Sequence, residues 1–122
     1  MNLKHLHLHV RNRNLSQAFY GEWLGLTVAR SDKTLTFMSD GAHFALALMS
    51  DPSPAPMPSW FHFGFAVGSS EEAVSLHDRM QARGVRIVRP LYRDERLVSF
   101  RCADPDQYVI EIYWEGTGAA LD

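Results

Sequence analysis

The stretch HLHLHV, residues 5–10, alternates histidine with aliphatic residues, and HFGFAV, residues 62–67, alternates a histidine and small residues with bulky apolar ones. Successive side chains on a β-strand point to opposite faces of the sheet. Both stretches therefore predict strands with one bulky apolar face and one face that carries histidine, glycine or alanine. A third stretch, YVIEIY at residues 108–113, places the single carboxylate of Glu111 in an otherwise apolar strand.

The polar faces of these three strands carry His5, His62 and Glu111. A carboxylate in the middle of an apolar strand is costly to bury unless it is paired or bound to a metal. Two imidazoles and one carboxylate converging from three strands would form the facial triad that holds divalent iron and similar metals. The sequence therefore predicts a metal site with these three ligands. In the alternative interpretation, the histidines are ordinary strand residues and the carboxylate faces solvent on an edge strand.

The same order of predicted elements occurs twice along the chain, which indicates two similar modules. In the first module, a strand at 3–10 is followed by a helix that begins at Asn14, with Gln17 completing a capping box, and that ends at Gly25. The helix is predicted to bury a row of residues spaced four apart, namely Leu15, Phe19 and Trp23. Three short strands are predicted next, at residues 26–30, 34–38 and 43–49.

The second module repeats this order. A strand is predicted at 60–67, and Ser69 and Glu72 form a second capping box at the start of a helix at 70–83. The helix is predicted to bury one apolar row, namely Ala73, Leu76 and Met80. Three further strands are predicted at residues 85–89, 97–102 and 108–114.

A segment with four prolines, residues 50–58, separates the modules and is predicted to be an extended linker. The modules on either side of it span residues 1–49 and 59–122. Each is too small to be stable alone, so they are expected to form one structural domain. The predicted fold class is α+β, with two βαβββ modules whose sheets curl into a cup.

Composition and charge argue against several classes of function. The net charge is -2 and no run of Lys or Arg is present, which argues against nucleic-acid binding. No segment approaches the roughly 20 consecutive apolar residues that cross a membrane as a helix. Cys102 is the single cysteine, so an intrachain disulfide cannot form, and the cytoplasm is the simplest predicted location. This cysteine is expected to be an inert strand residue.

The sequence resembles the vicinal oxygen chelate superfamily, which includes glyoxalase I, extradiol dioxygenases, fosfomycin-inactivating enzymes and bleomycin-binding proteins. The resemblance covers nearly the full length. It rests on His5, on FYGEWLGL at residues 19–26, on His62, and on DPD at 104–106 leading into IEI at 110–112. It implies a glyoxalase/dioxygenase-like fold of paired βαβββ modules that curl around a metal.

The same resemblance implies that His5, His62 and Glu111 are the metal ligands. Glyoxalase I-like members use a fourth ligand, a glutamate, from the strand that closes the first module, where this chain has Ala45 and Ala47. A glyoxalase I site is therefore disfavoured. Three ligands remain for a divalent metal ion, which could be Fe, Mn, Zn or Ni.

The implied function is that of a metal-dependent enzyme that chelates a small-molecule substrate through vicinal oxygens, with a dioxygenase-type reaction weakly preferred. A fosfomycin-type metal-dependent transferase would use the same three ligands. The alternative class is a metal-free, bleomycin-resistance-like binding protein, although the presence of all three ligands argues against it. Relatives are commonly dimeric, so a homodimer is expected. The cup could be completed within one chain or between two chains.

Further side chains on the polar faces are candidates for chemistry or binding. His7 could act as an acid or base, and Tyr113 could donate a hydrogen bond to a bound oxygen; in the alternative interpretation, each only lines or packs the cup. The substrate-binding candidates are the histidine and the small residues that would face the cup, namely His43, Ala45, Ala47 and Gly64. The small residues would leave open space beside the metal.

Other polar residues are predicted to have structural roles. His9 is expected near the surface, and His77 on the solvent side of the second helix, without a function. The segment RDER at 93–96 is expected to be a hairpin turn. Gln107 stands where the family often has a glycine after Asp-Pro-Asp, and this difference is expected to change only the turn.

Overall fold

Two four-stranded sheets, each with one helix on one face, make up the described part of the chain. The structure is a computed structural model and describes residues 1–116. The chain divides into two compact units, the first from Met1 to Pro56 and the second from Met57 onward. The division falls inside the proline-rich segment at 50–58. Each unit has βαβββ order.

The first unit consists of one helix and four strands. They are β1 (His5–Val10), α1 (Arg13–Leu24), β2 (Thr27–Ser31), β3 (Leu35–Ser39) and β4 (Ala45–Ser50). The strand order in the sheet is β1-β4-β3-β2, with β1 parallel to β4 and the other neighbours antiparallel. Because the first and last strands are neighbours, His5 lies opposite Ala45 and His7 lies opposite Ala47.

Asn12 caps α1, two residues before the predicted position. Its side-chain oxygen accepts hydrogen bonds from the backbone N–H groups of Asn14 and Leu15, at 3.0 and 3.2 Å. The predicted capping box of Asn14 and Gln17 is wrong, because both residues already lie inside the helix. Gly25 ends the helix in the left-handed conformation with φ 69°, as predicted.

The buried side of α1 also differs from the predicted row. Leu15 is 57% exposed and Trp23 is half-buried, whereas Phe19 is 8% exposed. The residues that the helix buries are spaced three and four apart: Ser16, Phe19 and Tyr20. A row spaced four apart drifts by about 40° per step around a helix with 3.6 residues per turn. Such a row therefore does not stay on the sheet over two turns.

The second unit has the same composition of elements. They are β5 (Phe63–Ala66), α2 (Ser70–Ala82), β6 (Ile87–Arg93), β7 (Leu97–Ala103) and β8 (Val109–Glu115). The strand order is β5-β8-β7-β6, with β5 parallel to β8 and the other neighbours antiparallel. The strand β5 is shorter than the predicted 60–67, so His62 lies one residue before it.

Ser69 caps α2 as predicted. Its hydroxyl accepts a hydrogen bond from the backbone N–H of Glu72 at 3.1 Å, and Glu72 Oε2 accepts one from the backbone N–H of Gly68 at 2.9 Å. The predicted row of this helix is buried: Ala73, Leu76 and Met80. The prediction for His77 is wrong, because this residue is 8% exposed and its ring lies 5.1 Å from the ring of Phe100.

The helix-facing side of the second sheet is the core of its unit. Its side chains, at alternate positions of β7 and β8, are fully buried: Val98, Phe100, Cys102, Ile110 and Ile112. The residues on the opposite side form what we call the open face: Gly64, Arg89, Ser99, Arg101, Glu111 and Tyr113. The predicted α+β class with two βαβββ modules is confirmed. Within residues 1–116, neither helix has the length and apolar character needed to span a membrane.

Candidate functional site

Glu111 lies in the middle of β8, with Gly64 of β5 on one side and Arg101 of β7 on the other. Residues directly opposite one another on adjacent strands share a face of the sheet. Arg101 Nε donates a hydrogen bond to Glu111 Oε1 at 3.0 Å, and the two side chains are 19% and 27% exposed. The charge of this half-buried carboxylate is therefore compensated within the unit.

The other carboxylate oxygen of Glu111, Oε2, has no hydrogen-bond partner within residues 1–116. A carboxylate oxygen in this state is a suitable donor for a divalent metal. The contact with Arg101 occupies only one of the two oxygens. Pairing with arginine and ligation of a metal are therefore compatible on this side chain.

His62 is oriented by a neighbouring carbonyl group. Its Nδ1 lies 3.1 Å from the backbone oxygen of Trp60, and because a carbonyl only accepts, Nδ1 carries the proton. The lone pair is therefore on Nε2. Metal-binding imidazoles commonly have this arrangement, in which the second ring nitrogen donates to a carbonyl or carboxylate. His62 directly precedes β5 and lies two residues before Gly64 in the chain.

His5 is exposed at the start of β1, opposite Ala45 of β4. It belongs to the first unit, whereas His62 and Glu111 belong to the second. Within residues 1–116, no three His, Cys, Asp or Glu side chains form a group that could hold a metal ion. The convergence of the three ligands therefore stays a prediction. The donor set itself, two imidazoles and a carboxylate with an open oxygen, fits a divalent transition metal.

Tyr113 lies across Gly64 on the open face. A Cβ atom added at Gly64 would come within 3.1 Å of Tyr113 Cε1, which is tighter than ordinary van der Waals contact. The missing side chain at Gly64 therefore makes room for the aromatic ring of Tyr113. The hydroxyl of Tyr113 makes no hydrogen bond within residues 1–116, so it can donate one to a ligand.

The histidines of β1 form a row on one face of the strand, where all three are exposed. His7 is exposed, and its ring lies 5.2 Å from the ring of His9. His9 Nδ1 is 2.9 Å from Asp51 Oδ2, which ties the end of β1 to the segment that follows β4. The backbone N–H of Ser53 and the imidazole of His9 lower the pKa of Asp51. The predicted catalytic role of His7 stays a prediction.

The substrate-binding candidates of the first unit differ in exposure. Ala45 is half-buried, but Ala47 is 3% exposed and lies between β1 and Phe37 of β3 in the register. The prediction that Ala47 leaves open space beside a metal stays a prediction, and Ala47 itself is buried. His43 is exposed in the turn before β4, where its backbone N–H donates to Asp40 Oδ1 at 3.0 Å.

Arg89 and Arg101 are site residues that motif spacing did not identify. They are directly opposite each other on β6 and β7, and so they share the open face with Glu111. Arg89 is exposed and makes no hydrogen bond or ion pair within residues 1–116. The available signal was the alternation in VSFRCA, residues 98–103, which places one arginine on the face opposite the apolar side chains.

Cys102 is fully buried on the helix-facing side of β7. Burial, with a smaller contribution from the carboxylate of Asp104, raises the pKa of its thiol to about 12. A thiol that stays protonated is a poor nucleophile and a poor metal ligand. The prediction that Cys102 is an inert strand residue is confirmed.

Two βαβββ units, with imidazole and carboxylate donors beside their sheets, define a protein of the glyoxalase fold. The family model described as the Glyoxalase/Bleomycin resistance protein/Dioxygenase superfamily matches residues 2–112, and the chain belongs to this superfamily. The resemblance to the vicinal oxygen chelate superfamily is thereby confirmed.

Several solved structures are similar to this chain. A possible glyoxalase from Bacillus cereus is 26% identical, with a TM-score of 0.79 over 92% of this chain and 97% of that chain. The fosfomycin resistance protein FosX from Listeria monocytogenes is 21% identical, with a TM-score of 0.81 over 96% and 95%. Lactoylglutathione lyase from Agrobacterium tumefaciens is 18% identical, with a TM-score of 0.73 over 93% and 92%. The last two similarities show the fold alone. No curated protein matches this chain significantly.

Proposed function

We propose that this protein is a metal-dependent enzyme that chelates a small molecule through two neighbouring oxygens, with His5, His62 and Glu111 as the metal ligands. The main support is in the second unit. There, His62 is held with its lone pair on Nε2, and Glu111 keeps Oε2 without a partner within residues 1–116. The imidazole of His62 is thus already oriented, and the charge of Glu111 is already compensated. Both side chains are of the kind that divalent metals bind. Membership of the superfamily supports the same class of function.

A divalent ion such as Fe, Mn, Zn or Ni would supply Lewis acidity, which stabilises negative charge on a chelated oxygen. The other roles belong to side chains of this protein. Tyr113 donates a hydrogen bond from its hydroxyl to a substrate oxygen. His7 accepts or returns a proton as a general acid or base. Arg101 holds Glu111 in one orientation through Oε1.

Among reactions that such a site serves, we favour a dioxygenase-type reaction. A fosfomycin-type transferase reaction would use the same ligands. The candidates for substrate contact are the exposed His43 and Gly64, the half-buried Ala45 and the buried Ala47. We also propose that the protein acts as a homodimer, as members of the superfamily commonly do.

One observation favours a second candidate function, the binding of a small molecule without a metal. The salt bridge between Arg101 and Glu111 compensates the carboxylate without any metal. A metal-free binding protein of the bleomycin-resistance type needs a stable site of that kind. This candidate and the enzyme differ in metal content, so metal binding separates them directly.

The deciding experiment measures metal content and metal-dependent stability. Protein purified without chelator or added metal is subjected to elemental analysis. Thermal unfolding is then followed with Mn²⁺, Zn²⁺ or Ni²⁺. If only the folded state binds, a metal at 100 times its Kd stabilises the protein by about 2.7 kcal/mol. We expect Glu111→Gln to remove this stabilisation, since a neutral amide is a weak ligand but can still accept a hydrogen bond from Arg101.

The matched control is Glu115→Gln. Glu115 is also on β8, an even number of residues from Glu111, and therefore on the same face. This variant should keep the full metal-dependent rise in Tm. If Glu111→Gln keeps the rise as well, Glu111 is not a ligand and the proposed site is wrong. If no metal raises the Tm of the unchanged protein, the metal-free binding function is the better proposal.

A further inference from the structure

Three charged residues follow one another across the open face of the second sheet. Arg89 of β6 is directly opposite Arg101 of β7, and Arg101 is directly opposite Glu111 of β8. Like charges directly opposite each other on a sheet are destabilising. One carboxylate thus stands against two guanidinium groups, and the row carries a net positive charge.

Arg101 uses only part of its hydrogen-bonding capacity. Its single partner within residues 1–116 is Glu111, which it reaches through Nε at 3.0 Å. The two terminal nitrogens, Nη1 and Nη2, make no hydrogen bond there. No buried side-chain nitrogen or oxygen among these residues lacks a partner, so each terminal nitrogen keeps some exposure to solvent, and the side chain as a whole is 19% exposed. The fork of the guanidinium is therefore free to bind a ligand.

Two hydroxyl groups share the open face with Arg101. Ser99 is two residues from Arg101 on the same face of β7 and is directly opposite Tyr113 on β8. Neither hydroxyl has a hydrogen-bond partner within residues 1–116. Glu115, the other carboxylate on this face of β8, is opposite Leu97 at the far end of the strand. The face that carries Arg101 thus also carries two hydroxyl groups, and Glu111 is the carboxylate that Arg101 contacts.

We propose that Arg101, assisted by Arg89, binds an anionic group of the substrate, a carboxylate or a phosphonate. The substrate would then carry this group in addition to the two oxygens that it presents to the metal, so the inference rests on the proposed function and names its substrate class. A guanidinium fork matches the geometry of such oxyanions through two parallel hydrogen bonds. Glu111 shares its charge with the metal once that is bound, which leaves more of the arginine charge for the substrate.

The test compares two probes of nearly equal size, of which only one carries a negative charge. Both 3,4-dihydroxybenzoate and 3,4-dihydroxybenzamide offer the same vicinal oxygens, but only the first carries a carboxylate. Binding is measured by calorimetry with saturating Zn²⁺, which does not oxidise the probes. We expect the benzoate to bind about tenfold more tightly, since a charge-assisted hydrogen bond changes affinity by about that factor. The corresponding phosphonate, measured in the same way, decides which oxyanion is preferred.

Three variants locate the effect. Arg101→Gln should abolish the preference for the benzoate, and Arg101→Lys should weaken it, because lysine keeps the charge but lacks the fork. Arg89→Gln should reduce the preference for the benzoate severalfold. Because this variant leaves the pair of Arg101 and Glu111 intact, a reduced preference in it cannot be ascribed to loss of that pair. Arg79→Gln, which removes the same charge from α2, is the control and should keep the full preference. Unfolding curves of each variant check that it folds.

The outcomes separate this inference from the proposed function. If Zn²⁺ binds but both probes bind equally, the anion site is wrong and the metal site stands. If Zn²⁺ does not bind, the proposed function fails, and the same pair of probes is compared without metal. A preference for the benzoate that depends on Arg101 would still support the anion site. Equal binding of the two probes without metal, or no binding of either, would overturn the anion site.

Discussion

Glu111 shows how a half-buried carboxylate can be stabilised and still remain reactive. Arg101 meets it through one nitrogen and one oxygen, so each side chain keeps hydrogen-bonding capacity. A two-point contact would have engaged both carboxylate oxygens and a second guanidinium nitrogen. The geometry of this pair therefore leaves Oε2 for a metal and the terminal nitrogens of Arg101 for an anion.

Gln107 is the only non-glycine residue within residues 1–116 with a positive φ, at 69°. The left-handed conformation costs an L-residue about 1 kcal/mol or more, and glycine adopts it without this cost. We expect Gln107→Gly to be more stable than Gln107→Ala by about 1 kcal/mol, measured by urea denaturation. Both variants lose the contact between Arg86 Nη1 and Gln107 Oε1 at 2.8 Å, so their difference isolates the backbone.

Equal stability of the two variants would show that the turn relaxes away from the left-handed conformation when the side chain is changed. The unchanged protein serves as the reference for the lost contact with Arg86. Because that contact is exposed, its contribution should be small.

Single residues were predictable where their surroundings were unusual. Glu111 stood out as a carboxylate among apolar residues, and strand alternation placed it and Gly64 each on the polar face of its own strand. The structure shows that these two strands are adjacent. Arg101 was not recognised, because an arginine on the polar face of a strand is ordinary until its partner across the sheet is known. Register cannot be derived from one strand alone. The burial of Ala47 could not be predicted for a related reason, since its register neighbours His7 and Phe37 lie on two other strands.

At the scale of elements, aspartate side chains stabilise three of the turns that connect strands. Asp32, Asp40 and Asp94 each accept backbone hydrogen bonds from residues two to four positions further along. The backbone N–H groups of Thr34 and of Phe44 are the main causes that lower the pKa of the first two carboxyls, and the hydroxyl of Tyr92 is the main cause for Asp94. These turns are therefore stabilised by ionised side chains.

A lowered pKa in the folded state means that the unfolded chain binds protons at a higher pH than the folded one. The contribution of these carboxylates is fully present above the ordinary aspartate pKa of about 3.9. It is lost as the pH falls through the lowered folded-state values. We expect the triple variant Asp32→Asn, Asp40→Asn, Asp94→Asn to show a flatter loss of stability between about pH 5 and pH 2.

The measurement is the free energy of unfolding as a function of pH. Asparagine can still accept the backbone hydrogen bonds, so the turns should form while the titration disappears. Glu95→Gln, next to Asp94 but without a backbone hydrogen bond within residues 1–116, is the control and should leave the slope unchanged. An unchanged slope in the triple variant would locate the acid sensitivity elsewhere.

The sequence predicted which helices and strands exist, but it did not always predict which face of a helix is buried. The start of α2 was predictable because Ser69 and Glu72 form a reciprocal cap. In α1, Asn12 and Asn14 are equally good caps by composition, and only the tertiary structure selects the first. The burial of His77 was missed because its neighbour Phe100 lies on a different element.

For the whole molecule, repetition was the most informative property of the sequence. Two passages of the same pattern predicted two βαβββ units, and the structure contains both. The metal site was predicted with one ligand in the first unit and two in the second, so its assembly depends on an arrangement that alternation within single strands does not determine. Each unit, by contrast, is determined by its own pattern of apolar residues.

Cys102 provides a probe for the unfolding of the second unit. Burial raises the pKa of its thiol to about 12, so very little of the reactive thiolate forms at pH 8. We expect no labelling of the native protein by an excess of a thiol reagent at pH 8 over minutes, and complete labelling in urea. The rate in intermediate urea should follow the opening of the sheet around β7.

Rapid labelling of the native protein would mean that β7 opens without global unfolding. A metal that binds the folded state should slow labelling further, since it lowers the population of open molecules. Glu111→Gln should remove this protection by metal and leave labelling without metal similar.

The parallel pairing of β1 with β4 and of β5 with β8 has a consequence for biosynthesis. In each unit the strand made first takes its place beside the strand made last, so neither sheet can be completed until the end of its unit has been synthesised. Contacts between such distant segments form slowly, because the intervening chain must close a long loop. The first sheet needs the chain only as far as Ser50, whereas the second needs it as far as Glu115. On the ribosome, the first sheet can therefore assemble while β5 still lacks its partner β8. A pause in translation before β8 would prolong the time during which the second sheet is incomplete.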